Sequence, residues 1–264
     1  MSDFATPLRG KRAVVTGATK GIGRSIALAL AEAGADVAIN ARSERDLGAL
    51  RDEIEGMGRR ALAIAGDVTD PDFVAGRLAR DVLDGWGGLD ILVNNAGNAG
   101  SAKFANHPDE LWHRMLAINL TSVYYVTKAF VPAMIEQRAG RVITVASIAG
   151  KVGGKYIAAY TASKHGVLGL TRALAVELNG SGITVNAICP GYVDTPMTEA
   201  SVANMTARTS MTAEQARQAL ERTSPQYRLI TPEEVASVAV FLALDTSAGI
   251  TGQAINVDGG SVNY

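Results

Sequence analysis

KRAVVTGATKGIGRSIALALAEAG, residues 11–34, decides the fold. Residues 11–16 read as a short buried strand. They run into Gly17-Ala18-Thr19-Lys20-Gly21-Ile22-Gly23, and SIALALAEAG then carries apolar side chains at helical spacing up to Gly34. Strand, glycine turn and helix in this order form the opening unit of a dinucleotide-binding sheet. Glycines let the backbone bend tightly and come close to a pyrophosphate. The amide N–H groups and dipole of the helix N-terminus favour that anion.

The next strand, ADVAINA, ends at Ala41 and is followed by Arg42 and Ser43. An acidic residue at this strand end would bond the adenosine ribose and disfavour a 2′-phosphate. Ala41 stands there instead, with Arg42 beside it and Lys20 in the glycine loop. Two cations without a carboxylate suit the 2′-phosphate of NADP(H); the other reading is ordinary surface charge. Residues 44–58 form a charged helix. RALAIAGDV is the third strand, with Asp67 at its C-terminal end followed by Val68. Asp67 either bonds an adenine amino group or serves a turn. A helix from Asp70 to about Trp86 leads to LDILVNNAG, the fourth strand. Asn94 and Asn95 there are expected to tie neighbouring strand ends, leaving Gly97 to let a cofactor ribose approach closely.

Residues 109–138 are helical, with Asn119 at their middle. Asn119 lies either on a solvated face or with its amide bonded to backbone or water at the site, bending the helix. GRVITVAS, the fifth strand, delivers Ser147 to the same sheet rim as the glycine loop and Asn94. Tyr160 lies thirteen residues after Ser147, and Lys164 follows at i+4, one turn along a helix running to Asn179. A phenol has a pKa of about 10, and a nearby ammonium lowers it toward what acid/base work needs. Ser147 would hydrogen-bond a carbonyl oxygen while Tyr160 protonates it. Ala162, Gly166, Gly169 and Ala173 on this helix permit close approach of another helix or subunit, or ordinary internal packing. ITVNAICPG is the sixth strand, ending at Pro190-Gly191 and followed by YVDTPM. The polar stretch 196–228, with Met197, Met205 and Met211, interrupts the alternation and reads as a substrate lid; the alternative is that these methionines fill core gaps. Thr231-Pro232 opens a helix and QAINVDGG closes the sheet. The persistent β/α alternation predicts one α/β domain over 1–264, a doubly wound parallel sheet of Rossmann type with helices on both faces.

Apolar residues make up 47% and charged residues 19% of 264 residues, as in a folded globular chain. A net charge of −1 with no Lys/Arg run argues against nucleic acid as a partner. The single cysteine, Cys189, suits a reducing compartment. MSDFATPLRGKR has no apolar signal segment, and no run approaches a membrane span, so the expected place is the cytoplasm. His107, His113 and His165 lack metal-ligand spacing, and no metal is expected; packing is the default for His165.

With these residues in hand, the chain resembles the short-chain dehydrogenase/reductase family over its whole length. The fingerprints stand in order: TGATKGIG (16–23), Asp67, NNAG (94–97), Asn119, Ser147, YTASK (160–164), PGYVDT (190–195) and NVDGG (256–260). The resemblance implies a catalytic set of Asn119, Ser147, Tyr160 and Lys164. In it Tyr160 is the acid/base, Ser147 polarises the carbonyl, Lys164 lowers the Tyr160 pKa and bonds the nicotinamide ribose, and Asn119 holds a relay water. It implies NADP(H) contacts at Gly17, Thr19, Lys20, Gly21, Ile22, Gly23, Arg42, Asp67, Val68, Asn95, Ala96, Gly97, Tyr160, Lys164, Pro190, Gly191, Val193 and Thr195. YTASKHGVLGLTRAL and GITVNAICPGYVDTPM are similar to bacterial 3-oxoacyl and polyketide ketoreductases. After NNAG, however, Asn98-Ala99-Gly100-Ser101 replaces the basic residue and Pro-Gly-Gly of the aromatic polyketide type. A CoA thioester, a keto ester or a free ketone is therefore as open as an acyl-carrier thioester. The expected activity is NADPH-dependent ketone reduction by a homotetramer built on the two long helices. Alternatives are an NAD-dependent dehydrogenase run oxidatively and a non-catalytic nucleotide sensor.

Overall fold

In the computed structural model, residues 6–264 are described; residues 1–5, the start of the stretch read as lacking a signal segment, lie outside them. Seven parallel strands form one sheet in the order β3-β2-β1-β4-β5-β6-β7. They are β1 (Arg12–Thr16), β2 (Asp36–Ala41), β3 (Ala61–Ala65), β4 (Ile91–Asn94), β5 (Gly140–Val145), β6 (Ile183–Pro190) and β7 (Ala254–Val257). The central strands β4, β5 and β6 are buried along their whole length, the pattern of strands covered on both faces.

Helices α1 (Gly21–Glu32), α2 (Glu44–Gly56) and α10 (Pro232–Ala243) cover one face. Ile26, Leu30, Leu47 and Val235 pack there against Val15, Ile39 and Ile188. The other face is covered by a helix in three pieces, α3 (Pro71–Phe73), a π-helical Val74–Ala79 and α4 (Arg80–Trp86), and by two longer helical runs. The first comprises α5 (Asp109–Leu116), a π-helical turn Ala117–Thr121 and α6 (Ser122–Gln137); the second is α7 (Ala158–Leu178). Leu78, Phe130, Met134 and Leu178 form the core of this side with Val14, Leu92 and Val142. The expected doubly wound sheet is thus observed. Its order reverses between β1 and β4, so a crevice opens at their C-terminal ends.

The third strand is shorter than expected: it stops at Ala65, and Asp67 lies in the loop beyond. The 196–228 segment is helical, α8 (Pro196–Arg208) and α9 (Ala213–Glu221). Its ends are drawn together beneath it. Val193 and Ile230 form an isolated parallel bridge, with Asp194 N donating to Ile230 O at 2.8 Å and Ile230 N to Tyr192 O at 2.9 Å. Among the described residues, no helix is long and apolar enough to cross a membrane.

Candidate active site

At the switch point, Thr16 knots β1 to β4. Its Oγ1 accepts from the N–H of Asn95 at 3.0 Å and of Ala96 at 3.1 Å. Asn95 Nδ2 returns bonds to Thr16 O at 3.0 Å and Gly17 O at 3.1 Å. Asn95 therefore ties the strand ends as expected, whereas Asn94 reaches the helix layer, donating from Nδ2 to Thr127 Oγ1 at 2.9 Å. Gly17 has φ +64°, and a Cβ there would lie 2.8 Å from Ala96 Cα, so glycine is required both for the turn and for the approach. A Cβ on Gly21 would meet Thr195 Cγ2 at 3.1 Å, which places the glycine loop against the PGYVDT loop. Thr19 and Ile22 are half-buried in this turn. Val68 and Val193 are buried beneath the crevice. Gly191 N donates to Val257 O at 3.1 Å, fixing the turn after Pro190.

Lys20 and Arg42 are both exposed, and neither forms an ion pair among the described residues. Lys20 precedes α1 directly, and Ser43, next to Arg42, caps α2 by accepting from Asp46 N. The glycine cradle, two unneutralised cations and the lack of a carboxylate at Ala41 fit a dinucleotide bearing a 2′-phosphate. Asp67 serves the turn: its Oδ1 accepts from Thr69 N at 2.9 Å and Thr69 Oγ1 at 2.8 Å.

The predicted trio meets beyond β5. Ser147 is extended, and its Oγ accepts from Ala149 N at 3.1 Å, which leaves the hydroxyl proton to donate. Tyr160 is the third residue of α7, and Lys164 lies one turn on with Nζ 5.8 Å from the Tyr160 ring centroid. Lys164 is buried and donates to Val145 O at 2.9 Å. Asn119 is fully buried in the π-helical turn, so the solvated-face alternative fails. Its Oδ1 accepts from Asn98 N and its Nδ2 donates to Asn98 O, each at 3.0 Å. The wide turn aims this amide inward. A Cβ on Gly97 would lie 2.9 Å from Asn119 Oδ1 and 3.8 Å from Lys164 Nζ, so the NNAG end, Asn119 and Lys164 share one small volume.

The electrostatics correct one expectation. Burial pushes the Tyr160 phenol above its ordinary value, and the Ser147 hydrogen bond only partly opposes this. Burial also brings Lys164 down to about 8. Desolvation by burial is the largest influence on both groups. At neutral pH the ammonium still predominates by about tenfold.

Other expectations shift as well. Gly166 faces inward, where a Cβ would meet Leu120 Cδ2 at 2.8 Å, while Gly169 and Ala173 are exposed. His165 is exposed, its Nδ1 within 3.0 Å of Thr161 O, rather than packed. Met197 and Met211 are exposed and do not fill the core. Among the described residues no group of three His, Cys, Asp or Glu is arranged to hold a metal. Three site residues escaped the sequence: Thr16 at the knot, Tyr192, and Asn204. Tyr192 brings a second phenol near enough to raise Tyr160 further. Asn204 Nδ2 on α8 donates to Ser101 Oγ at 3.1 Å. Thr16 and Tyr192 stood within recognised motifs without a role assigned to them; nothing marked Asn204.

Comparison with known proteins agrees with this geometry. Residues 17–262 match the family model described as enoyl-(acyl carrier protein) reductase. The chain is 41% identical to D-beta-hydroxybutyrate dehydrogenase of Rhizobium meliloti, covering 95% of this chain and 98% of that one. It is 42% identical to the granaticin polyketide synthase putative ketoacyl reductase 1 of Streptomyces violaceoruber, covering 96% and 93%. A solved tryptophan variant of actinorhodin polyketide ketoreductase with NADPH superposes with a TM-score of 0.93 at 40% identity, covering 98% and 100%. The chain belongs to the short-chain dehydrogenase/reductase family.

Proposed function

We propose that this chain is an NADP(H)-dependent oxidoreductase that reduces a ketone, of the 3-oxoacyl thioester or keto ester class, to a secondary alcohol. The carrying observation is the convergence of the Ser147 and Tyr160 hydroxyls beside buried Lys164, on the rim that holds the glycine cradle. Two neighbouring hydroxyls suit an oxygen, and so favour a carbonyl over a carbon–carbon double bond. The similarity to ketoacyl reductases and to an NADPH-bound ketoreductase supports the same chemistry.

Bound at this rim, the nicotinamide of NADPH would supply the hydride to the carbonyl carbon. Ser147 donates a hydrogen bond to the carbonyl oxygen and holds it in line. Tyr160 keeps its proton at neutral pH because burial raises its pKa, and gives it to the oxygen as the alkoxide forms. The Lys164 ammonium stabilises the phenolate left behind and would hold the nicotinamide ribose. Asn119 holds the Asn98 backbone in place and serves the path by which Tyr160 regains its proton. Lys20 and Arg42 would hold the 2′-phosphate, and Thr195 and Val193 the carboxamide. The domain is single over 1–264, with 196–228 as its lid. We assign it to the cytoplasm, in keeping with the lone buried Cys189, and to a homotetramer built on the α5–α6 run and α7.

The test is consumption of reduced nicotinamide with acetoacetyl-CoA, comparing NADPH and NADH at matched concentrations. NADPH is expected to be oxidised much faster, and Arg42→Ala to raise the NADPH KM about tenfold with little change for NADH. Tyr160→Phe is expected to lower kcat by at least about 1,000-fold with cofactor affinity retained. Faster use of NADH would instead favour the oxidative reading that the hydroxybutyrate dehydrogenase similarity allows.

A further inference from the structure

NVDGGSV, residues 256–262, includes a recognised motif to which the chemistry above gives no role. It leaves β7 as a tight turn, with Gly259 and Gly260 at φ +64° and +88°, a region that side chains disfavour. Asp258 is buried, and its carboxylate closes the turn. Oδ1 accepts from Gly260 N at 3.0 Å and Oδ2 from Val262 N at 2.9 Å. Asn256 Nδ2 donates to Val262 O at 2.6 Å across the same turn. Among the described residues Asp258 forms no ion pair, so two backbone N–H groups, rather than a cation, offset the burial of its charge.

Two other segments lean on this turn. The first is the loop after Pro190. Gly191 N donates to Val257 O at 3.1 Å, and a Cβ on Gly191 would lie 3.2 Å from both Cα and Cβ of Asp258. The second is the downstream foot of the 196–228 segment, residues 223–226, just beyond α9. Ser261 Oγ lies 2.8 Å from Asp258 O and 3.0 Å from Thr223 O, so its one proton is shared between a carbonyl of the turn and a carbonyl of the foot. A Cβ on Gly259 would collide with Ser224 Oγ and lie 3.2 Å from Gln226 Cγ, so the foot packs directly on the turn backbone. Ser224 is itself buried, and its Oγ accepts from Gln226 N at 3.2 Å, which shapes the foot. The upstream limb is held differently. From α8, Asn204 Nδ2 reaches Ser101 Oγ at 3.1 Å and Arg208 Nη1 reaches Ser101 O at 3.4 Å, both in the mouth loop, residues 98–103. One limb is thus fixed to the end of the sheet, and the other rests on side-chain bonds to a loop.

We propose that Asp258 is a positioning residue, whose carboxylate holds the 258–262 turn as a common seat for the cofactor loop 190–195 and the lid's foot at 223–226. The proposal rests on the NADP(H) and lid readings above and adds what fixes the pivot of the lid. A loop that meets the cofactor binds it in the seated arrangement, so apparent affinity scales with the fraction of molecules that are seated. Loosening the seat weakens cofactor binding. The complex, once formed, still presents the same Ser147 and Tyr160 hydroxyls. Asparagine at 258 is nearly isosteric, but it offers one acceptor oxygen to two N–H groups and sets a donor against a donor.

The experiment compares the wild type, Asp258→Asn and Ser261→Ala by hydrogen exchange without cofactor, and by kinetics with NADPH and acetoacetyl-CoA. In Asp258→Asn, exchange is expected to accelerate about tenfold in both 190–195 and 220–228 while β1 and β4 stay unchanged. The NADPH KM is expected to rise about tenfold, with kcat within about threefold. Acceleration confined to 258–262, acceleration spread evenly over the chain, or an unchanged NADPH KM overturns the proposal. Ser261→Ala leaves the carboxylate and its two bonds in place and is expected to accelerate 220–228 but not 190–195. It carries the test if Asp258→Asn does not fold, and unchanged exchange in 220–228 then overturns the proposal. If the wild type turns over no acetoacetyl-CoA, titration of NADPH binding replaces KM with the same expected shift. If it binds no NADPH, the cofactor reading fails by itself, and exchange in the two segments alone decides whether the turn seats them.

Discussion

Lys164 shows most directly how the site is held at a cost to the fold. Its ammonium is buried and brought down to about 8, so the folded state binds that proton less tightly than the unfolded state does. The sign follows from linkage: between about pH 8 and the ordinary lysine value the unfolded chain binds more protons. The contribution of Lys164 to stability therefore improves as pH rises through that window, and the penalty is fully present below it. Lys164→Met should raise unfolding stability at pH 7 by about 1–3 kcal/mol, part of the gain being offset by the unpaired Val145 carbonyl. The gain should fade by about pH 10, while turnover is lost at every pH. Denaturant unfolding of the two proteins at pH 7 and pH 10 measures this; a destabilised variant at pH 7 would contradict it. The i+4 spacing made the Tyr160–Lys164 pair legible, but not the direction of the phenol shift. Spacing gives proximity. It does not give the depth of burial, which depends on what the mouth loop and β6 place over the pair.

At the scale of elements, the π-helical turn Ala117–Thr121 is the part the sequence described least well. Its apolar periodicity continues without a break from α5 into α6, since one extra residue in a turn leaves the pattern nearly intact. Only Asn119 itself hinted at a bend. The structure gives that residue two backbone bonds to Asn98, so the turn anchors the mouth loop as well as bordering Lys164. Asn119→Ala should cost about 2–3 kcal/mol, because Asn98 N–H and C=O lose their partners together. Hydrogen exchange should accelerate specifically in 98–103, and kcat should fall. Uniform protection across that loop would exclude an anchoring role. The strand order, the glycine turn and the delivery of Ser147 to the rim were legible because strand–turn–helix patterns are local. The Thr16 knot and the Asn204–Ser101 bond join segments far apart in sequence, which no local pattern records.

For the molecule as a whole, the outward faces of the two longest helical runs remain exposed among the described residues. Tyr124 and Ile135 on α6 are 44% and 43% exposed, and Val176 on α7 is 83% exposed beside Gly169 and Ala173. Small residues allow close helix approach, and the apolar ones give that approach a driving force. Light scattering on the purified protein should report four chains. Val176→Asp should yield smaller species with little change in the secondary structure of each chain, since that side chain has few internal contacts to lose. A wild-type monomer at micromolar concentration would remove the tetramer. The sequence supplied the small residues but could not say which turned inward, and Gly166, packed on Leu120, did.

The Val193–Ile230 bridge closes the neck of the 196–228 excursion with two backbone hydrogen bonds of its own. Arg217 adds an ion pair to Asp194 at 2.8 Å at the same neck. Once a neck is fixed, lengthening the chain beyond it carries only a logarithmic entropy penalty, about 0.6 kcal/mol per doubling. The excursion therefore behaves as an exchangeable cassette. Its length and lining can diverge, or be grafted between relatives, while the strand ends that hold the hydride chemistry stay unaltered.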